Sequence, residues 1–165
     1  MRKKTGPAAN RADTPDESLQ SVAANAALLL EEAMGATNHV LSIELAPVVA
    51  LDGELLIRRT PLPDRILRVV ADPVRGTEVI QPVSRWPAHF RSTVRRMRPP
   101  WGPCVHDAVL DALIDDFVRD VENLLGTIRF AARVDTQPED CANIRDDFVL
   151  ISRTHAARLS LSVND

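Results

Sequence analysis

The chain has no tyrosine, and its only aromatic side chains are four phenylalanines and two tryptophans. A surface that stacks the bases of single-stranded nucleic acid needs several rings, so that class is excluded. Two cysteines occur, Cys104 and Cys141, without a CxxC spacing, which argues against a disulfide framework or a zinc site. The six glycines form no Walker loop, dinucleotide fingerprint or GxSxG elbow. The four histidines, His39, His89, His106 and His155, include no pair at metal-ligand spacing, and no Ser, His and Asp set forms a recognisable triad. Apolar runs such as residues 26–30 are too short to span a bilayer, and no signal-peptide core follows the basic start Met1, Arg2, Lys3, Lys4. The expectation is a protein that is not an enzyme, has no cofactor or metal, and has no membrane partner.

What is present is enough for one domain with a core and tails: 165 residues, 45% hydrophobic. Lysine is confined to Lys3 and Lys4, and the other 18 basic residues are arginine. A formal net charge of -3 conceals a strong polarity. Residues 73–104 carry Arg75, Arg85, Arg91, Arg95, Arg96 and Arg98 against Glu78, while residues 105–147 hold 11 acids against four arginines. The basic stretch suits contact with DNA or an acidic partner; the alternative is a loop that screens the acidic stretch within the same molecule.

Residues 1–15 lack periodicity and read as a flexible tail. Asp16 or Ser18 caps a helix through Leu19, Val22, Ala26, Leu29 and Leu30 to about Met34, with Gly35 as its stop. Its apolar face is broad, so it must pack on something. Residues 40–49 fit either a strand or a short helix. A second helix is expected from about Pro61 to Asp72, ended by Pro73. The proline-rich connector 73–104 has room for a short helix over 90–97. A long helix over 105–131 follows, with Val109, Leu113, Phe117, Val121, Leu124 and Ile128 along one face. Asp107, Asp111, Asp115 and Glu122 lie largely on another, where a solvated face is commoner than a cation site. Residues 134–136 read as a short extended link. A last helix should start at Pro138 and run on through Phe148, Val149 and Ile151, leaving residues 160–165 frayed.

Short helix, long helix, short helix is the layout of a histone fold. Two blocks of sequence resemble histone H3. Glu54, Leu55, Leu56, Ile57, Arg58 and Arg59, then Pro61, Arg65 and Arg68, are similar to that family's first junction and helix. Ala131, Arg133, Val134, Pro138 and Asp140 are similar to its second loop and last helix. The resemblance covers roughly sixty residues. It implies an all-α histone fold with an extra N-terminal helix and a long insertion in the first loop. The corresponding organisation is a tail at 1–15, an N-terminal extension at 16–53, the fold at 54–152 with its insertion at 73–104, and a C-terminal tail at 153–165. It further implies that Arg58, Arg59, Arg65, Arg68 and Arg133 approach double-stranded DNA, joined by Arg95, Arg96 and Arg98 of the insertion. The apolar face of the long helix would then form the dimer interface with an H4-like histone-fold partner, and other core histones would complete a nucleosome-like particle in nuclear chromatin, or in a virion or viral factory. Departures from the family include Asp135 where a hydroxyl residue is usual, Phe130 in place of a histidine, and Asp146 and Asp147 where basic and apolar residues are usual. Two alternatives remain open: a histone-fold scaffold of a transcription or kinetochore-type complex, and an unrelated helical adaptor. All of these need the long helix to hide its apolar face, the histone readings against another chain.

Overall fold

Helix α1, Glu17–Met34, begins where the Asp16 side chain accepts a hydrogen bond from the Ser18 amide at 2.9 Å, and it stops at Gly35. Its buried side is made of Ala23, Ala26, Ala27, Leu30 and Met34. The chain then returns as strand β1, Val40–Ala50, in which Leu41 and Ile43 are buried while Val40, Ser42 and Glu44 are exposed. That alternation is the period-two mark of a strand with one covered face. The computed structural model describes residues 16–36, 39–51, 79–99, 105–135 and 144–164.

Strand β2, Val79–Pro82, leads into helix α2, Trp86–Arg96, which carries Pro87 in its first turn, where a missing N–H costs nothing. Helix α3, Asp107–Leu125, is capped by His106 and ends at Gly126, whose φ of 86° is a conformation that side chains with a Cβ resist. Strands β3, Phe130–Asp135, β4, Ile144–Ile151, and β5, His155–Asn164, follow as an antiparallel meander. The sheet order is β1-β5-β4-β3-β2, every neighbouring pair antiparallel, so among the described strands β1 and β2 are the two edges.

The three described helices lie on one face of this sheet. Phe90 of α2 stacks on Phe117 of α3 with ring centroids 5.0 Å apart, and both are fully buried together with Leu30, Phe148, Leu150, Leu159 and Leu161. On the opposite face Val134, Val149, Ile151 and Ala156 form a second apolar cluster. His39, just before β1, donates from Nε2 to the Met97 carbonyl at 2.8 Å and so ties the start of the edge strand to the end of α2.

This architecture is α/β and corrects the all-α histone fold expected from the sequence. The long helix ends at Leu125, and the residues expected to continue it turn into β3. The expected last helix is strand β4 through Phe148, Val149 and Ile151, and the expected frayed end is the interior strand β5. β5 shows the reason plainly. Ala157, Leu159, Leu161 and Val163 point to the helices while Arg158, Ser160 and Ser162 point the other way, a period that no helix produces.

The handshake dimer falls with the fold. Helix α3 buries Leu110, Ile114, Phe117, Val121, Leu124 and Leu125 against its own chain. Phe117, Val121 and Leu124 of the expected interface are therefore core. Leu113 and Ile128 are partly buried against that same core, and Val109 is 52% exposed, because the buried stripe is turned by about one residue from the stripe read in the sequence. The histone fold and the nucleosome core expected with it are withdrawn. The expected helix at 61–72 lies outside the described residues.

Candidate functional site

The arginines expected to meet DNA divide into two groups. Arg58, Arg59, Arg65 and Arg68 lie outside the described residues. Arg95, Arg96, Arg98 and Arg133 are all engaged within the chain. Helix α2 and the turn that follows it present Arg91, Arg95 and Arg98 at spacings of four and three, and α3 presents aspartates every four residues, so the two face each other as matching ladders. Arg95 Nη2 donates to both carboxylate oxygens of Asp111 at 2.8 Å. Arg98 Nη1 donates to Asp107 at 2.6 Å, and its second nitrogen reaches the Val105 carbonyl. Arg91 bridges Asp115 and, at 3.5 Å, Asp111. The Arg98 guanidinium, first by hydrogen bond and then by charge, holds the Asp107 carboxyl below its ordinary value of 3.8. The basic stretch thus screens the acidic helix inside one molecule.

Arg96 and Arg133 converge instead on Asp146, which is 1% exposed. Arg133 Nε donates to Asp146 Oδ1 at 2.8 Å, the Thr93 hydroxyl donates to Oδ2 at 3.2 Å, and Arg96 completes the set. One residue further along β4, on the other face of the sheet, Asp147 is fully buried and accepts from Arg145 Nε at 3.0 Å and Arg158 Nη2 at 2.5 Å. Two consecutive aspartates on opposite faces each hold two guanidiniums, a buried arrangement whose chemistry is structural. Near the β4–β5 turn, Ser152 Oγ accepts the Thr154 and His155 amides at 3.1 and 3.0 Å, which fastens that turn. Among the described residues no group of three or more potential metal ligands exists, and no helix is long and apolar enough to cross a membrane.

A groove of about 540 Å³ lies between α1 and the edge strand β1. Ala24, Ala27 and Leu28 form its helical wall, Ile43, Leu45 and Val48 its strand wall, and Phe117 and Leu124 its floor. Leu28 is 54% exposed, an apolar side chain that the fold leaves in water. The only charged residues among its described lining are Glu31 and Glu44.

The strand wall is also an open edge. Glu31 Oε1 accepts the Ile43 amide at 2.5 Å, so this N–H points away from β5 and toward α1. By the two-residue repeat of an antiparallel ladder, the backbone groups of Leu41 and Leu45 point outward with it. The same residues direct their side chains to the helix-covered face, and Ser42 and Glu44 direct theirs to the other. The register shifts between Leu45 and Val48, and Pro47 offers no N–H, so the regular edge ends there. An exposed strand edge beside an apolar groove presents backbone hydrogen-bonding groups and side-chain seats along the same line.

Sequence reasoning missed this site. Its signal was partly present: α1 has apolar residues on more than one side, since Val22, Leu28 and Leu29 remain exposed while Ala23, Ala26 and Ala27 face inward. The helix could be read as one that packs on something, but the strand it flanks was not resolved from a short helix.

Compared with known proteins, the chain matches no protein-family model and no curated relative.

Proposed function

We propose that this chain is a non-catalytic binding module that takes up an extended segment of another polypeptide as an added strand along β1. The carrying observation is the outward Ile43 amide, held by the Glu31 side chain where a sheet would place a neighbouring strand's carbonyl. A segment in that position bonds to the outward backbone groups of Leu41, Ile43 and Leu45, displacing Glu31 from the Ile43 amide, and drops alternate side chains into the groove beneath α1. The regular edge at residues 41–45 gives it about 15 Å of backbone at the usual strand rise. Two seated aliphatic side chains contribute about 1.5–3 kcal/mol each and a few edge hydrogen bonds about 0.5–1.5 kcal/mol each. Set against a cost of association of at least about 4 kcal/mol, they leave weak binding, with a dissociation constant no tighter than about ten micromolar. The adaptor alternative raised by the sequence shares this interaction role, with a sheet edge in place of an all-helical surface.

The expectation that the chain packages DNA with an H4-like partner depended on a fold that is absent, and four of its eight arginines already pair with aspartates. It is not carried forward. Backbone amide NMR of the labelled protein tests the proposal. A soluble seven-residue peptide alternating valine or leucine with glutamine should shift and protect the amides of Leu41, Ile43 and Leu45, and Leu28→Asp should abolish the effect. Shifts confined to other surfaces, or tight binding of duplex DNA that falls steeply with salt while the peptide has no effect, would overturn it.

A further inference from the structure

Resting on the strand-addition function, we infer that the segment taken up is basic, with lysine or arginine at the position opposite Glu44 and a second cation within reach of Glu31. Neither α1 nor β1 contains a single lysine or arginine, so the groove has no cation on either of its long walls. Among the described residues neither Glu31 nor Glu44 forms an ion pair, whereas Asp107, Asp111, Asp115, Asp116 and Asp120 on α3 all do.

Strand addition changes the position of these two carboxylates in different ways. Glu31 at present satisfies the Ile43 amide. An arriving carbonyl takes over that amide and releases the half-buried carboxylate at the mouth of the groove, where a cationic side chain becomes its best available partner. Glu44 is exposed and lies on the other face of the strand. A residue directly opposite it in an antiparallel pair has its Cβ about 4.5–5.5 Å away, the range in which opposite charges stabilise and like charges oppose pairing. Alternation then sets the pattern of the ligand: apolar side chains entering beside Ile43 and Leu45, separated by a basic side chain facing Glu44. The same rule disfavours a second copy of this chain on the edge, because antiparallel pairing about Ile43 and Glu44 would bring two Glu44 side chains close together.

The test uses three versions of the seven-residue peptide, with lysine, glutamine or glutamate at the polar positions, and reads their affinity for the full chain by fluorescence anisotropy. At low salt the lysine peptide should bind roughly three- to tenfold tighter than the glutamine peptide, and the glutamate peptide weaker by a similar factor, both differences shrinking as salt screens exposed pairs. Glu44→Lys should reverse the order. Glu31→Gln should retain an acceptor for the Ile43 amide and narrow the preference for lysine. Equal affinities for all three peptides, with amide shifts still on β1, would overturn the basic preference and leave strand addition standing. Absence of amide shifts on β1 with any of the three would overturn both.

Discussion

Around Asp146 the fold gathers Arg133, Arg96 and the Thr93 hydroxyl onto one buried carboxylate, and along α2 and α3 each aspartate of the ladder meets an arginine. On the other side of the molecule, Glu31 holds a backbone amide and Glu44 faces water. The first region carries many charges and satisfies them internally; the second carries few, all of one sign, and leaves apolar side chains exposed beside them. Charge density is therefore a poor guide to where this protein meets others. The half richest in arginine is closed on itself, and the nearly uncharged half retains unmet bonding capacity.

That contrast is open to direct challenge. Phe117 lies beneath both regions, stacked on Phe90 on one side and flooring the groove on the other. Phe117→Ala should cost about 3–5 kcal/mol in urea unfolding and loosen peptide binding together with stability. A loss of stability without any change in binding would show the groove to be independent of the core. Asp146→Ala should cost less, about 2–3 kcal/mol, because its guanidinium partners Arg96 and Arg133 are half-exposed and stay partly hydrated. Peptide affinity should not change, and if it did the two halves would be coupled.

Leu28→Asp should do the reverse, shifting stability by no more than about 0.5 kcal/mol while reducing peptide affinity at least tenfold. The smallest effect belongs to Asp107. Its carboxyl is held down by Arg98, so its contribution is complete above the ordinary value of 3.8 and is lost as pH falls through the lowered one. Urea midpoints measured from pH 5 down to pH 2.5 should decline slightly less steeply in Arg98→Ala than in the parent chain. Identical slopes would mean that the ladder is decorative.

Local signals in the sequence were clear where they depended on one element alone. Asp16, Gly35 and the apolar spacing between them give α1 both ends, whereas α2 begins at Trp86, four residues before the helix expected over 90–97, because Pro87 in its first turn reads equally as part of the connector. The 3.6-residue period of α3 is visible through Leu125. What failed was the step from one period to another. After Gly126 the spacing changes to two, yet Phe130, Ala131 and Ala132 continue the apolar run, and a short run of that kind fits a helix as well as a strand. β4 is harder still, because Phe148, Val149, Leu150 and Ile151 are buried on both faces and show no alternation at all. β5 did alternate, and its period was legible from Ala157 to Val163. The groove was beyond sequence reasoning, since it exists only where α1 folds back over a strand that could not be told from a helix. The matching ladders of α2 and α3 were partly legible, as a basic stretch set against an acidic one, but their pairing required knowing that the basic stretch is helical.

Pro47 and the register shift beside it have a consequence for the life of the protein at high concentration. A smooth, unbroken edge strand invites copy after copy to stack, the route by which soluble chains become fibres. Here the usable edge is only a few residues long before a residue with no amide hydrogen interrupts it. The strand acts as a short ruler: it has room to receive one brief guest and lacks the length to seed a filament.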